Sequence, residues 1–105
     1  MSKVSDLNDA LRKTLAGGRV VLTHGVNELP LAQINALMAR IRAFDAFTED
    51  DDPYGEHDFG AVDVGDVRVF WKIDCYDLDM NFASPDPTDP KVTTRVLTIM
   101  LASEY

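Results

Sequence analysis

The chain has 105 residues, enough for one packed core and too few for two. Its hydrophobic fraction of 46% and charged fraction of 27% are ordinary for a globular chain, and no apolar run approaches the roughly 20 residues a membrane-spanning helix needs. The net charge of −8 is concentrated: residues 45–90 hold fourteen acidic and two basic groups, net −12, while residues 1–44 are net +3 and the last fifteen net +1. This excludes a binder of phosphate backbones, which needs a basic stripe, so direct nucleic-acid binding is not expected. It leaves an acidic face suited to a basic protein or a cation, with solubility alone as the bland alternative. A lone cysteine, Cys75, allows no intrachain disulfide, and the polar first fifteen residues read as an amphipathic helix rather than a signal peptide. A reducing, cytoplasmic location is the expectation.

Val4, Leu7, Leu11 and Leu15 recur at helical spacing, predicting an amphipathic helix over 4–16 that Gly17-Gly18 terminates. RVVLTHGV, 19–26, is β-branched and apolar, as a buried strand would be. Pro30 opens a second helix to about Phe44, with Leu31, Ile34, Leu37, Met38 and Ile41 on its apolar face. The acidic, turn-rich stretch 45–57 reads as an exposed loop. Residues 58–64 and 67–76 then form a hairpin around Gly65-Asp66. If Val64 faces Val67, Asp63 meets Arg68 and Trp71 lies over Gly60; in the same register His57 faces Asp74 and Asp58 faces Ile73. A short strand at 80–83 and a proline-spaced connector, SPDPTDP, follow. Residues 90–103 are apolar nearly all round and predict a helix buried against the sheet, its bare face a potential homodimer contact; their β-branched content leaves a strand as the alternative. The expected fold is therefore α+β, a small antiparallel sheet built on the 58–64/67–76 hairpin with three packed helices, in the order α-β-α-β-β-(β)-α within one domain.

The segments GGRVVLTHGV, DPYGEHDFG, FWKIDCYD, SPDPTDP and VLTIMLASEY together resemble a family of small bacterial proteins catalogued as a domain of unknown function. The resemblance covers nearly all of residues 5–105. It implies a compact bacterial protein, often encoded near plasmid or other mobile-element genes, and supplies no activity, substrate or catalytic residue. The family pattern has a small residue where His24 stands, which separates His24 from any shared functional group.

Chemistry is best sought in DPYGEHDFG. His57 beside Asp74, with Glu56, Asp58, Asp77 and Asp79 nearby, would suit a divalent cation with open positions, although the spacing matches no metal signature. The simpler reading makes His57–Asp74 a structural hydrogen-bonded pair. A metal-free hydrolase would need a nucleophile, and Cys75 faces the opposite side of the strand from Asp74, with Trp71 and Ile73. The run EDDDP lacks the alternation of a calcium loop. Phe59, Phe70 and Tyr76 share a face with Lys72, Asp63 and Asp74, and that face is expected to lie under a helix. The preferred function is a non-enzymatic interaction module without a cofactor. It would present the acidic 45–58 loop and the 77–89 connector to a basic protein, with Asp50, Asp51, Asp52 and Glu56 supplying charge and Tyr54 an aromatic anchor. The alternative is a metal-binding module or metal-dependent hydrolase around Glu56, His57, Asp58 and Asp74.

Overall fold

The computed structural model describes residues 2–105. Ser2 and Ser5 cap the first helix reciprocally, each side chain accepting from the other's backbone N–H at 3.0–3.1 Å. That helix, α1, runs Lys3–Thr14 and ends at Leu15 in the left-handed conformation. Its buried face is Ser5, Asn8, Leu11 and Arg12, whereas Val4, Leu7 and Leu15 are only half-buried. The apolar stripe is thus turned partly outward, and three polar side chains point inward to make specific hydrogen bonds.

Strand β1 is Arg19–Leu22, shorter than expected. Thr23 still donates its N–H to Ile99 O, after which His24–Asn27 forms a single helical turn, α2. Glu104 accepts from both the Thr23 hydroxyl (2.6 Å) and Gly25 N–H (3.1 Å), tying that turn to the C-terminal 3-10 turn Ala102–Glu104. Helix α3 is Leu31–Arg42, with Leu37 and Ile41 fully buried.

The hairpin β2, Phe59–Val64, and β3, Val67–Tyr76, has the expected register: Val64 opposite Val67, Val62 opposite Val69, Asp63 opposite Arg68 and Gly60 opposite Trp71. Gly65 takes the positive φ that its tight turn requires. Gly60 is fixed by its neighbour, since a Cβ there would lie 2.5–2.8 Å from three atoms of the Trp71 indole. Trp71 is completely buried, and its Nε1 has no hydrogen-bond partner.

The segment 90–103 is not a helix. Thr94–Leu101 is a strand, β4, lying between β1 and β3. Val96, Leu97, Ile99 and Met100 are all buried, because an inner strand is apolar on both faces. The bare helical face expected of 90–103 is therefore replaced by the two faces of a strand. The sheet is also mixed rather than antiparallel: the order is β1-β4-β3-β2, and β1 runs parallel to β4. The 80–83 strand reduces to one bridge, Tyr76 to Ala83. The element order becomes α-β-α-α-β-β-β, still α+β.

Core residues from all three helices, Leu11, Val26, Leu37 and Ile41, join the cluster of Val62, Val69, Trp71, Ile73, Leu97 and Ile99 on one face of the sheet. The Phe59/Phe70 face, expected under a helix, instead carries the C-terminal Tyr105, whose ring centroid lies 5.3 Å from that of Phe70 and 6.0 Å from that of Phe59.

Candidate functional site

The acidic loop following α3 is held at two points. Asp52 is an internal cap. Its Oδ1 accepts from Glu56 N (3.0 Å) and His57 N (3.2 Å), while its backbone N–H donates to Thr48 O. Gly55, at φ +65°, lets the chain turn beneath it. His57 also adopts a positive φ, +55°, and this breaks the alternation a strand would impose. Pairing to β3 continues as far as Asp58, whose carbonyl accepts from Ile73 N. The His57 ring meanwhile swings away from Asp74, stacks on Phe47 with 3.9 Å between centroids, and meets Asp9 of α1 at 3.0 Å through Nδ1. A carboxylate only accepts, so Nδ1 carries the proton in that bond. His57 Nε2 is 3.8 Å from Asp52 Oδ2, outside hydrogen-bond reach.

Asp9 also accepts from Arg12 Nη2 at 2.9 Å. Arg12 is fully buried, donates through Nη1 to the carbonyls of Ile41 and Arg42, and lies 5.4–5.5 Å from the ring centroids of Phe47 and Trp71. One α1 turn thereby fixes both the end of α3 and the loop that leaves it. A second buried polar link lies one turn back. Asn8 Nδ2 donates to Glu56 O, and Asn8 Oδ1 accepts from Arg95 Nε of β4 at 2.9 Å. Arg95 also donates to Pro87 O in the connector. The acidic loop and the 77–93 connector are therefore bound to the same pair of side chains.

The expected site residues divide accordingly. Asp50, Asp51 and Tyr54 stand on the surface, Tyr54 being 85% exposed. Asp52 does not belong with them: it is 7% exposed and committed to backbone donors. The expected His57–Asp74 pair does not form, because Asp74 pairs with Lys72 at 3.0 Å on its own strand. Glu56, Asp58 and Asp74 do come together around a hollow of about 200 Å³ with Asn8, Cys75 and Pro87, but His57 faces elsewhere. Among the described residues no three His, Cys, Asp or Glu side chains are disposed to hold a metal ion. Burial pushes the Asp58 carboxyl up from its ordinary value, aided by the nearby charges of Asp52 and Asp74. Burial likewise pushes the Cys75 thiol up, which leaves it a poor nucleophile.

Asn8, Asp9, Arg12 and Arg95 were not legible as site residues. Arg95 carried the one usable signal, a lone charge within an apolar β-branched run, which calls for a buried acceptor.

An α+β domain that displays an acidic, aromatic-bearing loop on buried polar pins is the class of protein that fold and site define. The chain belongs to the DUF3768 family, described as a protein of unknown function, whose family model matches residues 22–104. This agrees with the resemblance carried by VVLTHGV, DPYGEHDFG and VLTIMLASEY. No curated protein and no solved structure matches the chain.

Proposed function

We propose that this protein is a non-catalytic interaction module whose acidic loops dock on a basic protein. A nucleic-acid-binding protein whose DNA site is occupied by charge mimicry fits this chemistry best. The observation that carries the reading is Tyr54, 85% exposed in a loop whose charges Glu49, Asp50 and Asp51 are also exposed, while Asp52 and His57 fix the backbone on either side of it. A loop kept only for solubility has no need of a solvated aromatic ring on a pinned backbone, whereas an interface does. The connector repeats the pattern: Leu78 and Phe82 are 61% and 75% exposed among Asp77 and Asp79. Because Asn8 and Arg95 hold both segments, little ordering entropy remains to oppose binding.

The test is competition. The protein is titrated against a basic DNA-binding domain pre-bound to duplex DNA, at low and at moderate salt. Displacement should weaken steeply with salt and fall about tenfold or more in the double variant Asp50→Lys/Asp51→Lys. Tyr54→Ala should raise the dissociation rate without altering the melting temperature. Unchanged displacement and unchanged salt dependence in the charge-reversed variant would remove the reading.

A further inference from the structure

A cavity of about 440 Å³ runs beside the outer edge of β2. Phe44 and Phe47 wall it on the helix side of the sheet, Phe59, Ala61 and Phe70 on the opposite side, with Gly60 between them. Asp51 and Arg68 form its polar lip. β2 is a terminal strand. The bond from Ile73 N to Asp58 O fixes which of its backbone groups are spent: Asp58, Gly60 and Val62 face β3, while the N–H and C=O of Phe59, Ala61 and Asp63 face away from it. Among the described residues no helix or loop supplies a hydrogen bond to those three. An edge left open over an aromatic cleft is an invitation to strand addition, with main-chain bonds giving affinity and the cleft selecting a side chain.

We propose that the basic partner docks as an extended strand on the outer edge of β2, with an apolar side chain packed against Phe59 and Phe70 on the face away from the helices. The proposal rests on the acidic-module reading and names how that partner is held. Charge identifies the occupant. Asp51 stands at the lip of the cleft within the exposed run Glu49-Asp50-Asp51, Asp66 lies in the hairpin turn, and Arg68 is already neutralised by Asp63 at 3.0 Å. A second copy would bring the same net −12 stretch to this edge and be repelled; an extended segment alternating Lys or Arg with apolar residues is attracted, and its alternation matches the pleat.

The probe is a displayed library of short segments alternating Lys or Arg with apolar residues, selected on the full chain, with the winner synthesised twice. The second version carries N-methyl groups on alternate backbone nitrogens and has identical charge and side chains. The unmodified peptide should shift the amide resonances of Phe59, Ala61 and Asp63, and N-methylation should weaken it about tenfold or more. Phe70→Ala, which opens the cleft on the face away from the helices, should weaken it comparably. Equal binding by both peptides would overturn strand addition while leaving the acidic-module reading standing, provided that Asp50→Lys/Asp51→Lys still abolishes binding. No enrichment over scrambled segments, or a concentration-dependent dimer formed through β2, would also overturn it.

Discussion

His57 Nδ1 lies 3.0 Å from both carboxylate oxygens of Asp9, although the two residues are 48 apart in sequence. Asp9 is the hub of this corner. It receives the imidazole from the loop and the guanidinium of buried Arg12 from its own helix. Removing it strips an acceptor from a buried cation and releases the ring that closes the loop. Asp9→Ala should therefore cost about 2 kcal/mol in urea unfolding and speed amide exchange across 45–57. A double-mutant cycle with His57→Ala should show a coupling of roughly 1 kcal/mol, whereas the cycle of His57→Ala with Asp74→Ala should be additive. Additivity in the first cycle would mean that the contact carries no energy.

Gly60 and Trp71 are matched by exclusion. A methyl group at 60 would meet indole atoms at 2.5–2.8 Å, and the indole has nowhere to retreat because Phe44 and Phe47 stand edge-on to it at 5.5 and 6.1 Å. Gly60→Ala should lose about 1–3 kcal/mol, and Gly60→Ala with Trp71→Phe should recover part of that loss. A wild-type melting temperature for Gly60→Ala would show that the indole repacks freely.

Much of this was readable from the chain, and the residues show where legibility stopped. The hairpin register followed from local facts: Gly65-Asp66 sets the turn, the Asp63/Arg68 pair fixes the phase, and a glycine must oppose the indole. β4 departs from the expected helix because VTTRVLTIMLASE is apolar on every side, a pattern shared by a buried helix and a strand with two covered faces; neighbours choose between them, and β1 and β3 are distant in sequence. Strand alternation puts His57 against Asp74, but it stops at Asp58, one residue short of His57. Its left-handed backbone belongs to the turn that Asp52 organises, and no local pattern announces that. Asp9 was invisible as its partner because any polar residue on a helix surface could have filled that role.

Two carboxyls should make stability depend on pH in opposite senses. Glu104 is held below its ordinary value of 4.5 by the Thr23 hydroxyl first, then by backbone N–H donors. Its contribution is therefore present above pH 4.5 and is lost as the pH falls through its lowered native value. Asp58 is held above its ordinary value of 3.8, chiefly by burial. Its ionisation is opposed in the folded state, so its contribution turns unfavourable as the pH rises from 3.8 through the raised native value. At neutral pH Asp58→Asn should melt higher than wild type and Glu104→Gln lower, and both differences should shrink toward pH 3. Melting curves of the three proteins across that range decide it; a difference for either variant that stayed constant with pH would assign it to packing instead.

The hollow bounded by Glu56, Asp58 and Asp74 is where a cation would be sought, and its chemistry argues against one. Calcium takes about six to eight oxygen ligands and magnesium a near-ideal octahedron. Here Asp74 is already bound to Lys72, burial favours the neutral form of Asp58, and His57, the ligand that would attract a transition metal, lies against Phe47 and Asp9. Binding a divalent ion would require breaking the Lys72 contact of Asp74 and gathering ligands without the His57 imidazole. Adding Mg, Ca, Mn, Zn or Ni ions to the chelator-treated protein should therefore leave its melting temperature within the shift produced by ionic strength alone. An ion-specific rise that disappeared in Asp58→Asn and in Asp74→Ala would show instead that the three carboxylates close around a cation, and a hydrolase screen would then be the next experiment.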